Sequence, residues 1–187
     1  MNARQLLLVR HAETDLAGTF CGFSNPPINT RGQQQIQMLL QTLQGRSIDA
    51  VYGSDLQRAV STAEAISDRF NAPLQIMPDL REINFGEWES LTWNQIEQRG
   101  PAYARKWIES YPNHPAPKGE LFENFKTRVL CAFDTILSHD NSAIIVTHAG
   151  ALRVVMTHRC NLTEEQARLQ TSSYCSIFPY PSVEVPA

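Results

Sequence analysis

The 187-residue chain lacks any early apolar run long enough for a signal-peptide core or a membrane span; its first ten residues hold only the four-residue stretch Leu6 to Val9. The expectation is a protein of the cytoplasm with no membrane partner. An excess of one charge is also missing. Sixteen Lys and Arg stand against nineteen Asp and Glu, a net of −3, and neither sign forms a long block. Nucleic acids and membrane surfaces favour a concentrated basic face, so neither is an expected partner. A small anion held by a few convergent arginines is still compatible. Cys21, Cys131, Cys160 and Cys175 are scattered, with no C-x-x-C pair and no histidine at zinc-finger spacing. Neither structural zinc nor a disulfide framework is expected, and the thiols read as reduced and mostly buried. Repeats, low-complexity tracts and interdomain linkers are absent too. The length allows about two-thirds of the unfolded surface to be buried, so one domain spanning 1–187 is expected.

What is present is an alternation of strand and helix signals. LLLV (6–9) reads as a buried strand. Beyond Asn25-Pro26-Pro27, Thr30 with Gln33 resembles a capping box opening a helix to about Leu43, with Ile36, Leu39, Leu40 and Leu43 on one face. IDAVYGS (48–54) is a second strand, and Ser54 reads as the cap of a helix from Asp55 towards Phe70. LQIM (74–77) gives a third short strand. A mixed region follows, with two short helices and the Pro-rich YPNHPAPKG; within it, residues at about 84–120 read as a small cap or insert. A helix over 121–138, the strand SAIIVTH (142–148), a helix from Ala149 to about His158 and a late strand near YCSIFPY complete the pattern. This alternation predicts an α/β fold, a three-layer α/β/α arrangement around a mostly parallel sheet.

In such sheets ligands bind outside the carboxyl ends of the strands. Arg10 and His11 follow the first strand, Arg58 lies one helical turn after the second, and His148 ends SAIIVT. Two imidazoles and two guanidiniums are thus sent to one rim. Two arginines can grip a phosphoryl group through paired, charge-assisted hydrogen bonds, and a neutral histidine can attack it. Taken singly, each of these residues reads as a turn histidine or a surface arginine; their convergence carries the argument. For a general acid the candidate is Glu82 in LREINFGEW, where Leu80, Ile83 and Phe85 surround it with apolar groups that favour a proton-donating carboxyl. Glu87 and Glu89 are competing carboxylates, read as structural or substrate-facing. Trp88, Trp93, Tyr103 and Trp107 either line an aromatic site or, more in keeping with their spacing, pack a small helical cap.

These segments resemble the histidine phosphatase, or phosphoglycerate-mutase-like, superfamily over nearly the whole chain. LVRHAET resembles its R-H-G-E-T signature, NPPINTRGQQQ and VYGSDLQRAVSTAEAI its two following segments, LREINFGEWE its acid-bearing loop, and IIVTHAGALR its second histidine block. The resemblance implies His11 as phosphohistidine nucleophile and Glu82 as proton donor and acceptor. It implies Arg10, Thr14, Arg58, His148 and Ala149 as phosphate or substrate contacts, a small phosphorylated metabolite as partner, and no metal or organic cofactor. Ala12 departs from the signature's glycine, and Ala17 stands where many members carry an asparagine that touches phosphate; Thr14 and the backbone after Phe20 are the candidate substitutes. Within the superfamily the bacterial alpha-ribazole phosphatases of cobalamin assembly are most similar, although Pro117-Lys118-Gly119-Glu120 continues with Leu121 where they have serine. Phosphoglycerate mutase or a broad sugar-phosphate phosphatase is the nearest alternative. Against a mutase, only 65 residues separate Glu82 from His148. A non-catalytic phospholigand-binding protein is the alternative of another class.

Overall fold

The computed structural model of the protein describes residues 5–139 and 142–181. Five strands form one sheet in the order β3-β2-β4-β1-β5. β1 (Leu6–Arg10), β2 (Ala50–Gly53), β3 (Leu74–Ile76) and β4 (Ala143–Thr147) run parallel; β5 (Ile177–Pro179) pairs antiparallel with β1. The central strands are apolar on both sides because helices cover both faces of the sheet. Leu7, Val9, Val51, Ile144 and Val146 face one layer, built from α1 (Thr30–Thr42) and α2 (Gln57–Phe70) through Leu39, Ala63 and Ile66. Leu6, Leu8, Tyr52 and Ile145 face the other, built from α5 (Phe122–Leu137) and α6 (Ala149–Arg159) through Phe125, Val129, Phe133 and Leu152. The edge strands have three residues each, which limits the unpaired backbone they expose.

Several details differ from the sequence reading. Asn29, not Thr30, caps α1: its side chain accepts from the Gly32 N–H at 2.8 Å. Ser54 does not cap α2, which starts at Gln57 behind Leu56 with no side-chain cap. A further helix, α7 (Glu164–Gln170), opens on a Thr163/Gln166 capping box. The four thiols are free, as expected, but Cys131 is exposed and the other three are only half-buried.

The region after β3 contains two 3-10 turns (Pro78–Leu80 and Gly86–Trp88), then α3 (Trp93–Arg99) and α4 (Pro101–Ser110). Here Trp88, Ile96, Ala104 and Ala116 make a separate small core with Phe20, Phe85, Trp93, Tyr103 and Trp107 packed on it. Trp88 meets Trp107 edge to face at 5.3 Å between centroids and Tyr103 at 5.9 Å. The aromatic residues therefore build a helical cap, and of the four weighed from the sequence only Trp107 also reaches a groove.

Candidate active site

The parallel register determines which residues meet. Arg10 is level with Thr147 across β1 and β4, and Gly53 is level with Val146 across β2 and β4. Each ladder continues one residue further, with the His11 N–H donating to the Thr147 carbonyl at 2.9 Å and the Ser54 N–H to the Val146 carbonyl at 3.1 Å. His11, Ser54 and His148 consequently stand side by side at the rim. The two imidazole centroids are 5.0 Å apart, and the His148 Nε2 to Ser54 Oγ distance is 2.9 Å. Ser54, expected as a helix cap, instead fixes the second histidine.

The tautomer of His11 follows from its partners. Nδ1 lies 2.7 Å from the Ala12 carbonyl, an acceptor, so Nδ1 carries the proton and Nε2 the lone pair. The Arg58 Nε–H points at that lone pair from 3.3 Å. Burial first, and then the Arg58 guanidinium, hold the His11 pKa well below that of an ordinary histidine. The same two causes act in the same order on His148. Both rings are therefore neutral near pH 7.

Arg58 is fully buried and leaves α2 towards the loop over 20–24. Its Nη1 donates to the Ser24 carbonyl at 2.6 Å, and its Nη2 to the carbonyls of Gly22 at 2.7 Å and Cys21 at 3.1 Å. That loop is held in turn by Glu89, whose carboxylate accepts from the Gly22, Phe23 and Ser24 N–H groups, the Ser24 hydroxyl and the Phe85 N–H. Of the two roles weighed for Glu89, its contacts are structural. Arg10 Nη1 donates to the Thr171 and Ser172 carbonyls at 2.8 and 2.9 Å, and its guanidinium lies 3.8 Å from the centroid of the Tyr174 ring. Burial lowers the Arg10 pKa, opposed chiefly by Tyr174 and Glu82.

Glu82 is 8% exposed and sits on the loop after the first 3-10 turn. Its surroundings are less apolar than its sequence neighbours imply. Oε2 accepts from the Gly150 N–H at 2.8 Å and Oε1 from the Ile83 N–H at 3.0 Å. The loop itself is gathered by Arg128 of α5, which donates to the carbonyls of Asp79, Arg81 and Glu82 at 2.8 to 2.9 Å and to both oxygens of Glu120 at 2.8 Å.

Arg10, His11, Thr14, Glu82, Ala149 and Tyr174 are among the residues lining a cleft of about 240 Å³. Arg58 and His148 are wholly buried and back the His11 imidazole. Among the described residues three buried side-chain polar atoms have no hydrogen-bond partner, and two of them, Arg10 Nε and His148 Nδ1, belong to this cluster. Ala12 is completely buried without a positive φ, so its methyl is accommodated in ordinary backbone geometry. Ala17 is exposed; Thr14, buried, and Thr19 are hydroxyl residues on the cleft wall. A larger groove of about 1030 Å³ adjoins the cleft, sharing Phe20, Glu82, Phe85 and Ala149 with it.

The sequence reading missed Ser54 as the partner of His148, and also Tyr174, Arg128 and Gly150. Only Gly150 had a local signal, a glycine two residues after a strand-ending histidine. Arg128 reads in sequence as the polar face of an amphipathic helix.

Paired imidazoles, one buried and one half-buried arginine and a carboxylate at the rim of a parallel sheet define a phosphoryl-transfer protein of the α/β class. The chain belongs to the histidine phosphatase superfamily (branch 1), whose family model matches residues 6–179, and it is a phosphatase. It is 30% identical over 165 residues to the adenosylcobalamin/alpha-ribazole phosphatase of Escherichia coli K12, covering 86% of this chain and 81% of that one. It is 29% identical over 177 residues to a protein of Erwinia tasmaniensis named probable phosphoglycerate mutase GpmB, covering 92% and 82%. The crystal structure of the alpha-ribazole phosphatase from Shigella flexneri matches with a TM-score of 0.78 at 29% identity, covering 87% of this chain and 83% of that one.

Proposed function

We propose that the chain hydrolyses a phosphate monoester through a phosphohistidine on His11, and that its substrate is alpha-ribazole 5'-phosphate in cobalamin assembly. The observation that carries the chemistry is a buried, neutral imidazole whose lone pair faces a guanidinium, with unpartnered donors beside it. A folded protein rarely leaves buried polar atoms unpaired, and a bound phosphoryl group would give Arg10 Nε its acceptor. Ser54 Oγ accepts from the Leu56 N–H and so turns its own proton to His148 Nε2, which leaves Nδ1 protonated and the same phosphoryl group as its acceptor. Similarity to the named alpha-ribazole phosphatases supports the substrate.

In the first step His11 Nε2 forms a bond to phosphorus, displacing the long contact from Arg58 Nε, while the bond from phosphorus to the ester oxygen breaks. A proton from the Glu82 carboxyl goes to that oxygen. Arg10 and Arg58 offset the charge on the equatorial oxygens, where each preorganised donor is worth roughly 2 to 4 kcal/mol. In the second step the Glu82 carboxylate takes a proton from water, the water oxygen bonds to phosphorus, and the bond to Nε2 breaks. Inorganic phosphate and the free alcohol leave, and His11 and Glu82 return to their starting states.

Substituting His11→Ala and following phosphate release from alpha-ribazole 5'-phosphate tests the reading. Turnover should fall by at least about a thousandfold, with loss of the acid-labile phosphoenzyme seen in rapid quench. Undiminished release would remove His11 as nucleophile. Isomerisation of 3-phosphoglycerate exceeding phosphate release would instead identify a mutase.

A further inference from the structure

We propose that Tyr174 is a positioning residue for phosphoryl transfer: the face of its ring holds the Arg10 guanidinium in the plane from which it meets the phosphoryl group on His11. The inference rests on the phosphomonoesterase reading, through Arg10, and is independent of which alcohol carries the phosphate.

Arg10 ends β1, and among the described residues the contacts that fix its side chain come from one stretch, residues 171–174, between α7 and β5. The Thr171 and Ser172 carbonyls take Nη1 at one corner of the guanidinium, and the Tyr174 ring lies against its Cζ, 3.8 Å from the ring centroid. The carbonyls alone pin one corner, about which the fork would be free to turn; the ring fixes the plane. Nε, buried, has no partner, so the edge that carries it is the one open to a phosphoryl oxygen.

The backbone brings Tyr174 to this place. The Cys175 N–H donates to the Arg10 carbonyl at 3.1 Å and the Arg10 N–H to the Ser176 carbonyl at 3.2 Å, which extends the antiparallel pairing of β5 with β1. Cys175 has a φ of 56°, in the left-handed region that residues other than glycine seldom take, and the tight turn it makes leaves Tyr174 at the rim. Tyr174 is half-buried and lines the phosphate cleft with Arg10 and His11; its ring centroid is 5.6 Å from that of His11. One side chain thus stands against both the nucleophile and the cation that must meet on the same phosphorus. An aromatic face suits the task better than a carboxylate. It attracts a guanidinium through the ring quadrupole, and it neither neutralises the charge nor uses up an N–H donor that phosphate needs.

The test reads kcat/KM for p-nitrophenyl phosphate and the Kd of inorganic phosphate across Tyr174→Leu, Tyr174→Phe and proteins carrying mono-, di- and trifluorinated phenylalanine at position 174. Fluorine drains the negative face of the ring and barely changes its size, so packing is kept while the attraction for a cation weakens. Tyr174→Leu should lower kcat/KM about tenfold, the scale of a partly desolvated cation–π contact, and raise the phosphate Kd in step. Tyr174→Phe should recover most of that loss, and each added fluorine should lower kcat/KM again. Full activity in Tyr174→Leu overturns the proposal, as does equal activity along the fluorinated series. So does a loss in Tyr174→Phe as large as in Tyr174→Leu, which would put the role in the hydroxyl. If Tyr174→Leu does not fold, the fluorinated series decides alone, because its rings match phenylalanine in shape. A wild type that binds phosphate but releases none from p-nitrophenyl phosphate would sink the phosphomonoesterase reading. The Kd series would then decide for Tyr174: a rise with fluorination upholds its grip on Arg10, and a flat series overturns it.

Discussion

Gly150 shows how a residue with no side chain can control a catalytic carboxylate. A Cβ built there would lie 2.2 Å from Glu82 Oε1 and 2.9 Å from its carboxyl carbon, far inside van der Waals contact. Gly150 is helical and needs no special φ, so the fold tolerates alanine at that backbone position; the carboxylate does not. Gly150→Ala should leave the circular dichroism spectrum intact and lower kcat about a hundredfold, the usual scale of lost acid-base help. Steady-state kinetics beside thermal melts would check it, and wild-type kcat would show that Glu82 does not act from its observed position. That Arg10, His11, Arg58 and His148 converge on one rim was legible because each follows the end of a strand directly or within a turn of helix, whereas Glu82, on a loop after a 3-10 turn, was picked out by its apolar neighbours alone. Tyr174 was not legible: its ring reaches Arg10 only because the Cys175 N–H pairs with the Arg10 carbonyl, 165 positions away in sequence.

Among the elements, α5 has a task that its amphipathic pattern hides. Val129, Phe133 and Ile136 pack it on the sheet, and Arg128, beside that stripe, turns its fork to the carbonyls of the Glu82 loop. Methionine has a similar stem and none of the donors. Arg128→Met should therefore cost about ten- to a hundredfold in kcat and leave Glu120 without its bidentate partner; a matching loss in Glu120→Gln would show that the pair acts as one unit. Equal kcat for Arg128→Met and wild type would show that the loop needs no such support. The same scale explains which elements could be read in advance. β1, β2 and β4 are apolar on both faces and bounded by polar residues, a pattern that fixes both their existence and their parallel pairing. Helix starts were harder, since Asn29 and Thr30 are both good caps and only the bond to the Gly32 N–H distinguishes them. Ser54 was misassigned because a helix cap and a side-chain partner for histidine look identical in sequence; its role exists only through the register of β2 on β4.

For the whole molecule, placing two neutral histidines at the centre of the fold has a cost in acid. Burial and the neighbouring Arg58 hold both below the ordinary histidine pKa in the native state, whereas the unfolded chain protonates them near pH 6.5. Below that value the unfolded state binds protons that the native state refuses, so stability is full above about pH 7 and is lost as the pH falls through the unfolded value. With both rings involved the slope approaches about 2.7 kcal/mol per pH unit. The ion-paired carboxylates do not confuse this window. Arg81 holds Asp55, and Arg159 holds Asp134, below the usual aspartate value, so their contributions fade only below about pH 4. Urea unfolding at pH 7.5, 6.0 and 5.0 should show the midpoint falling steadily, and His148→Gln should make the fall shallower by about half whatever it does to stability at pH 7.5. An unchanged midpoint across that range would mean that the native state takes up the protons as readily as the unfolded one, which would deny His11 its lone pair below about pH 6.5.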